Sequence, residues 1–566
     1  MKKILWVLLS IALLVATPIM AQQQDATPRM NVNIEMPKGQ QYPSISARNA
    51  MVASCSYWAT KAGMEILDKG GNVVDAAIAV SFALGVAEPS MSGLGAEGIM
   101  QVYLTSMKEP TVIDFKGVTG AAVKENWKGE AFGPKSALLP GVVAGCWDVY
   151  QKYGSKKVTW AELIAPAISY ATNGLPLDSR IAEDVLAVLD PVMKDTYLSS
   201  VFIADGLPKE TGDLYKMPLL AETLKAIAKG GADTFYKGDI AAKMAADFQA
   251  AGGILTAKDF AEYKTVERKP LKGEYRGMTV YSTPLPTGGL PVIAALEILD
   301  NFNLSQYKFL SPEHTHLSGE ALKLATGDIL SYSDAVDASA VTYEQLLSKD
   351  YQKARAAKIK MDSTLPNAVC LGGLQEVQPP NPATGHTTNI VVADKYGNTV
   401  VWTQTLSYIF GSAWASPSTG VIFNNEMGNF ISNPKSVAPN KKVLTLIAPT
   451  ILFKDGRPYM SIGTPGSVTI TSNIVNTICY VVDFGLPLQK AIEATRFLDI
   501  AIGKKSAFQA ESTLPAATKS GLEAIGTSVR IDDTYYGAVT SVIFDYKNGW
   551  LFGGGDPRRS ASVQGL

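Results

Sequence analysis

The chain has 566 residues, which at roughly 100–200 residues per domain gives room for several domains or one large layered enzyme. Hydrophobic residues make up 46% and charged residues 18%, a composition that supports a large core and excludes wholesale disorder. The 51 basic and 52 acidic side chains leave a net charge of -1. No tail or half of the chain concentrates one sign, so the electrostatic signature of a nucleic-acid-binding protein is missing.

The N-terminus predicts an export signal. Lys2 and Lys3 precede an apolar run over residues 4–16, and small residues up to Ala21 precede a polar glutamine stretch. This order is typical of a secretory signal peptide over residues 1–21. The apolar run is shorter than the ~20 residues that span a bilayer, although an uncleaved anchor is the alternative. We therefore expect a periplasmic or secreted protein that is free of the membrane after the signal is cut.

The rest of the chain alternates helical and strand-like patterns. The first part of the chain predicts a helix over Ala59–Leu67, a second helix from Val73 capped by Asn72, and strands at Met100–Leu104 and Thr111–Phe115. Helices are predicted over about 160–248, and an extended loop over Leu371–His386. After this loop the patterns predict β-strands to about residue 470, then helices, and then strands from Ser528. Strands bracketed by helices suggest packed sheets covered by helical layers, an α+β fold. The segment Glu313–His316 is interpreted as a helix surface.

A β-hairpin at residues 386–407 is the most informative stretch. Two β-rich runs flank a tight turn at Tyr396-Gly397. Pairing about this turn places Thr387 opposite residue 405 or 406, so that two hydroxyls lie close together at the strand end. Threonine favours strands for structural reasons, so the spacing alone does not show that this pair of threonines is catalytic.

Cysteine and histidine usage points away from metal and redox chemistry. The three histidines match no zinc-binding spacing, and no metal or other cofactor is predicted. All the cysteines are widely separated in apolar contexts and are interpreted as buried thiols, although an exported chain permits disulfide bridges. They are Cys55, Cys146, Cys370 and Cys479.

The chain resembles the γ-glutamyltransferase (γ-glutamyltranspeptidase) family of N-terminal-nucleophile hydrolases. The hairpin looks like the start of that family's small subunit, and a collinear series of motifs extends the likeness over nearly the whole mature chain. These motifs are Gly63–Ala77, Pro140–Gly145, Asp233–Gly238, Gly252–Tyr263, Tyr275–Gly277, Pro449-Thr450, Gly463–Gly466 and Asp556–Arg558.

The resemblance implies a four-layer αββα sandwich with two stacked antiparallel sheets, and a chain that cuts itself between His386 and Thr387. Residues 22–386 would form a large subunit and residues 387–566 a small subunit, associated as a heterodimer. The free α-amine of Thr387 would then serve as the base for its own hydroxyl, since an α-amine has a pKa of about 7.7–8.0. By resemblance, Thr405 hydrogen-bonds Thr387, and the backbone N–H groups of Gly466 and Ser467 form the oxyanion hole. The implied activity is transfer of the γ-glutamyl group of glutathione or related small amides to water, amino acids or peptides.

The substrate-binding positions depart from the family pattern. Lys116 stands where the family has an arginine that binds the substrate α-carboxylate, and lysine lacks the bidentate fork. Glu426 fits the family, and Glu97 and Glu426 are candidates for compensating anions. The remaining departures are Ser407 for asparagine, Asn429 for aspartate, Thr445-Leu446 for a serine pair, Ser467 for a second glycine and Asn389 for a common histidine.

Three alternatives stay open at this point. One is a family relative that acts on another acyl amide, as cephalosporin acylases do. Another is an inactive exported binding protein on the same scaffold. The third is a serine hydrolase using the S-x-x-K motif Ser305–Lys308, although no downstream KTG accompanies it.

Overall fold

The computed structural model of the chain describes residues 45–124, 131–334, 343–370, 386–432, 437–500, 508–533 and 537–566. The predicted signal peptide, residues 1–21, lies outside the described residues, as does the predicted loop up to residue 385. Within the described ranges, no helix combines the length and the apolar character that a bilayer crossing requires.

The described residues alternate between strands and helices. The strands β1 to β21 are, in order, Ile45–Ala47, Ala50–Ser54, Glu97–Tyr103, Thr111–Phe115, Leu175–Pro176, Ile203–Ala204, Leu207–Pro208, Leu214–Tyr215, Val266–Arg268, Leu271–Tyr275, Met278–Ser282, His386–Asp394, Thr399–Ser407, Thr450–Lys454, Arg457–Gly463, Phe497–Leu498, Phe508–Ala510, Val529–Ile531, Thr540–Asp545, Trp550–Gly555 and Ser562–Gly565. The helices α1 to α19 are, in order, Tyr57–Asp68, Val73–Ala87, Val142–Tyr153, Trp160–Asn173, Ser179–Ala187, Leu189–Lys194, Thr196–Phe202, Pro218–Gly230, Ala232–Tyr236, Asp239–Ala250, Ala257–Glu262, Gly289–Leu299, Pro312–Asp334, Tyr343–Leu346, Lys349–Ala356, Asn367–Cys370, Ile470–Val482, Leu488–Glu493 and Ala516–Ala524.

Two seven-stranded antiparallel sheets form the centre of the fold. Sheet A has the order β1-β20-β19-β15-β14-β11-β10, and sheet B has the order β21-β2-β12-β13-β3-β4-β9. The sheets pack face to face through an apolar layer that both contribute, with Val391 and Val401 from sheet B against Ile451 and Val542 from sheet A. The odd and even positions of β12 and β13 therefore face different layers, as strand alternation requires.

Helices cover the outer face of each sheet. Ile390 and Trp402 of sheet B point into a core shared with α1 to α4 and α8, whereas Leu452 and Ile462 of sheet A point into a second core with α12, α13 and α17. The α+β class and the four αββα layers expected from the resemblance are confirmed.

Local sequence signals explain the helix pair and the hairpin. The Asn72 side chain accepts hydrogen bonds from the N–H groups of Val74 and Asp75, and the Asp75 carboxylate accepts one from the Asn72 N–H. This capping box starts α2 at Val73, as predicted. At the hairpin turn, Gly397 has a φ of 101°, a conformation that glycine adopts without strain.

Some expectations need correction. The strand predicted at Met100–Leu104 spans Glu97–Tyr103, and short two-residue strands interrupt the helical region before residue 248. The predicted helix surface at Glu313–His316 is wrong for both histidines, because α13 is packed within the core and His314 and His316 are buried. Aromatic rings surround His314, and burial lowers its pKa to about 3. The four cysteines are buried free thiols, as interpreted.

Candidate functional site

Thr387 lies at the start of β12, between the two helical layers of the fold. Its Cα partner across the ladder is Thr405, and the register shifts between His386 and Thr387. Thr387 is buried, with 4% of its surface exposed. The hairpin thus brings together the two threonines that the turn position predicted, next to an irregular point of the sheet.

The Thr405 hydroxyl connects the Thr387 side chain with the preceding peptide bond. It accepts a hydrogen bond from the Thr387 hydroxyl at 3.0 Å and donates one to the His386 carbonyl oxygen at 2.8 Å. The Ser407 N–H donates to the same Thr405 oxygen at 2.8 Å, which fixes its position. A hydroxyl that donates to a carbonyl stabilises negative charge developing on that oxygen, so the arrangement favours nucleophilic attack on the His386 carbonyl.

A buried arginine and a buried glutamate, which sequence reasoning did not find, hold the next peptide, between Thr387 and Thr388. The Arg559 guanidinium donates to the Thr387 carbonyl oxygen at 2.6 Å and lies 4.0 Å from the Glu88 carboxylate. Glu88 accepts a hydrogen bond from the Thr388 hydroxyl at 2.6 Å. Burial raises the pKa of Glu88 to about 7, an effect that the positive charge of Arg559 opposes. Arg559 directly follows the Asp556–Arg558 motif, which was the available signal.

His386 is held in an aromatic and cationic environment. Its ring packs edge-on against Tyr408, with 5.8 Å between ring centroids, and its Nδ1 lies 3.4 Å from an Arg180 nitrogen. Burial, together with the nearby guanidiniums of Arg559 and Arg180, holds the pKa of His386 well below its usual range. A neutral imidazole therefore flanks the Thr387 peptide.

The Gly466–Ser467 turn follows β15 and precedes a 3₁₀ turn that leads into α17. Gly466 has a φ of 139° and Ser467 a φ of 51°, so both residues occupy the left-handed half of backbone space. A serine in that region carries strain, a feature that clusters at functional sites. Gly463, just before the turn, lies against the side chain of Asn389, because a Cβ added there would come within 2.2 Å of its amide group. This contact joins the segment before the Gly466–Ser467 turn to strand β12 of sheet B.

Lys116, the predicted carboxylate-binding residue, forms a closed ion pair with Glu97. The Lys116 ammonium lies 2.5 Å from the Glu97 carboxylate and donates to the Thr445 hydroxyl at 2.9 Å. The other Glu97 oxygen accepts the Gly117 N–H at 2.6 Å, and the side chains of Lys116 and Glu97 are fully buried. The structure therefore brings Thr445 to Lys116. Leu446 instead packs against the apolar core under sheet A.

The second predicted group surrounds Glu426. The Asn429 amide donates to the Glu426 carboxylate at 2.6 Å and to the Ser407 hydroxyl at 3.4 Å. Burial and the negative charge of Glu97 raise the pKa of Glu426 to about 8, although Lys116 opposes the shift. These surroundings therefore favour the protonated form of Glu426 more than water does.

A separate cleft of about 390 Å³ is lined by Trp414 together with Phe132, Tyr197 and Lys194. Phe132 contacts Tyr408, which in turn contacts His386, so aromatic packing links the cleft to the candidate site. Among the residues described in the seven ranges, no group of three metal-ligating side chains is placed to hold a metal ion.

Comparisons with known proteins agree with this architecture. The sequence model of the Gamma-glutamyltranspeptidase family matches residues 59–566. The chain is 35% identical over 544 residues to the glutathione hydrolase proenzyme of Bacillus subtilis (strain 168), covering 92% of each chain. It superposes on the cephalosporin acylase from Bacillus halodurans with a TM-score of 0.82 and 27% identity, covering 94% of this chain and 99% of that one. The Helicobacter pylori gamma-glutamyltranspeptidase gives a TM-score of 0.53 and 31% identity over 56% of this chain and 95% of that one.

Proposed function

Because the chain belongs to the gamma-glutamyltranspeptidase family, we propose that it is an enzyme that cuts its own backbone between His386 and Thr387 and then hydrolyses or transfers the γ-glutamyl group of glutathione and related amides. The hydrogen bond from Thr405 to the His386 carbonyl is the observation that carries the proposal. It lies beside the Thr387 hydroxyl, on the one peptide bond that the reaction has to break.

Self-cleavage begins with attack of Thr387 Oγ1 on the His386 carbonyl carbon. The Thr405 hydroxyl stabilises the oxyanion that develops on the His386 oxygen. The C–N bond then breaks, the proton from the Thr387 hydroxyl passes to the new amine, and an ester joins His386 to Thr387. Water hydrolyses this ester to leave a carboxylate on His386 and a free hydroxyl and amine on Thr387.

The mature enzyme uses the Thr387 α-amine as the base for the Thr387 hydroxyl. The hydroxyl attacks the substrate amide, and the leaving amine takes the proton, which gives an acyl-enzyme that water or an acceptor amine resolves. The N–H groups of Gly466 and Ser467, at the start of a helical segment, stabilise the tetrahedral oxyanion. The acyl group extends toward Lys116 and Glu426.

The two products stay together as a heterodimer, residues 22–386 with residues 387–566. Strands β12 and β13 of the small subunit lie between β2 and β3 of the large subunit in sheet B. In sheet A, β14 of the small subunit pairs with β11 of the large subunit. Separation would expose these ladders and both cores to water, which supports lasting association. We also propose export to the periplasm or medium after a cut near Ala21.

Denaturing electrophoresis and N-terminal sequencing of the purified protein test this proposal. The wild type is expected to give two fragments, the smaller beginning at Thr387, whereas Thr387→Ala leaves one band. Thr387→Ser retains the nucleophile and serves as the matched control, so it is expected to cut. A wild type that remains uncut would support the binding-protein alternative.

The acyl group is tested separately, because the closed Lys116–Glu97 pair favours a second candidate, an acylase on other acyl amides. Comparing a γ-glutamyl anilide with a glutaryl anilide separates the two. Preference for the γ-glutamyl anilide supports the main proposal. Equal rates on both would contradict it.

A further inference from the structure

The Lys116 position, which the family resemblance assigns to the substrate carboxylate, already holds a carboxylate of the protein. The Lys116 ammonium is 2.5 Å from Glu97 and 2.9 Å from the Thr445 hydroxyl, and Glu97 also accepts the Gly117 N–H at 2.6 Å. An ammonium and a backbone N–H that converge on two carboxylate oxygens form a complete carboxylate-binding set. Glu97 of β3 occupies that set from within the protein.

A substrate carboxylate has to compete with Glu97 for the same donors. The Glu97 side chain is fully buried and attached to a strand, so it binds Lys116 without the entropy cost that a free ligand bears. Its negative charge also repels a second carboxylate at this position, in surroundings where water does not screen the interaction. The α-carboxylate of a γ-glutamyl group therefore finds little free binding capacity here.

Recognition of a substrate amine is not blocked in this way. The Glu426 carboxyl accepts a hydrogen bond from the Asn429 amide, whereas the Lys116 ammonium is bonded to Glu97. A substrate ammonium that binds beside Glu426 favours its ionised form, because a nearby cation lowers the pKa of a carboxyl. An acyl chain that carries an amine but no carboxylate therefore matches the charges of the pocket.

We propose that Glu97 is a specificity-determining residue that fills the carboxylate position of the acyl pocket, so that 4-aminoacyl amides without an α-carboxylate are hydrolysed about as well as γ-glutamyl amides. This inference rests on the proposed function, because it concerns the acyl group of the same reaction.

The first test uses the wild-type enzyme after self-cleavage. The kcat/KM values of γ-glutamyl p-nitroanilide and 4-aminobutyryl p-nitroanilide are compared, two substrates that differ only in the α-carboxylate. The expected ratio lies within about threefold of one, whereas a charge-assisted contact with Lys116 would favour the γ-glutamyl substrate by about 10–100-fold. A ratio of about 10 or more overturns the inference and leaves the proposed function standing.

The second test changes Glu97 itself. Glu97→Gln keeps the size and the acceptor for Gly117 but frees Lys116, so the ratio is expected to rise about tenfold or more, through a lower KM for the γ-glutamyl substrate. The double variant E97Q/K116M removes the cation as well and is expected to return the ratio to the wild-type value. An unchanged ratio in a folded, self-cleaved E97Q enzyme overturns the inference.

The kinetic results that would contradict the proposed function differ from those that would contradict the inference. A wild type that cleaves only the 4-aminobutyryl substrate, with γ-glutamyl activity gained in E97Q, supports the role of Glu97 and contradicts the γ-glutamyl assignment. If neither the self-cleaved wild type nor the self-cleaved E97Q enzyme hydrolyses either anilide, both the inference and the proposed function are overturned. If E97Q does not fold because Lys116 is left unpaired, the kcat/KM ratios of the wild type and of the double variant test the inference instead.

Discussion

Replacing Thr405 by valine removes the hydroxyl that joins the nucleophile to the bond it cuts. Valine keeps the shape of threonine but cannot donate to the His386 carbonyl, a bond of 2.8 Å in the precursor. Loss of one donor to a developing oxyanion costs about 10²–10³ in rate, or about 3–4 kcal/mol. The substitution also leaves the Thr387 hydroxyl and the Ser407 N–H without this acceptor, with a further cost to stability of about 1–3 kcal/mol.

The assay follows conversion of freshly synthesised precursor of 60.4 kDa into two fragments by gel electrophoresis over time. Thr405→Val is expected to slow the first-order rate by about 10²–10³. Thr405→Ser retains the donor and is expected to cut within about tenfold of wild type. Circular dichroism confirms that each variant is folded. A folded Thr405→Val protein that cuts at the wild-type rate would refute the assigned role of Thr405.

Three further predictions concern charge and strain around the site. Arg559→Gln removes the cation that binds the Thr387 carbonyl at 2.6 Å. A nearby cation lowers the pKa of an amine, so the acidic limb of the kcat/KM profile is expected to move up by about one pH unit. Glu426, whose raised pKa is about 8, gains its charge as pH rises through that value, so the KM of a γ-glutamyl anilide is expected to fall between pH 7 and 9. Ser467→Gly relieves a φ of 51° and is expected to stabilise the enzyme by up to about 1 kcal/mol relative to Ser467→Ala, with activity retained.

Each of these predictions has a matched control. Arg559→Lys keeps the positive charge and is expected to keep the pH limb, so a shift as large as that of Arg559→Gln would contradict the electrostatic role. Glu426→Gln cannot ionise, so a KM that still falls over the same pH range would place the effect elsewhere. Equal thermal midpoints for Ser467→Gly and Ser467→Ala would show that the turn is not strained.

Local patterns were sufficient to predict the elements that position the nucleophile. The Tyr396-Gly397 turn determines the register of β12 and β13, and this register brings Thr387 opposite Thr405. The cap at Asn72 likewise depends on residues within one helical turn. The four layers were expected only from the resemblance, because periodicity does not reveal how two sheets stack.

Contacts between distant parts of the chain could not be predicted from the sequence. Lys116 was identified as the counterpart of a substrate-binding arginine, but nothing in the sequence showed that Glu97 forms an ion pair with it. The contact of Arg559 with Thr387 joins residues 172 positions apart. The segment Glu313–His316 was interpreted as a helix surface, whereas the packing of α13 buries His314. In each case tertiary packing, rather than local pattern, determines the environment of the side chain.

The measurement that most directly tests the account is the intact mass and N-terminal sequence of catalytically active enzyme. Self-cleavage predicts two chains, one of which begins with an unblocked Thr387 and the other of which ends at His386. Full activity in a preparation that contains only chains unbroken across residues 386 and 387 would contradict it.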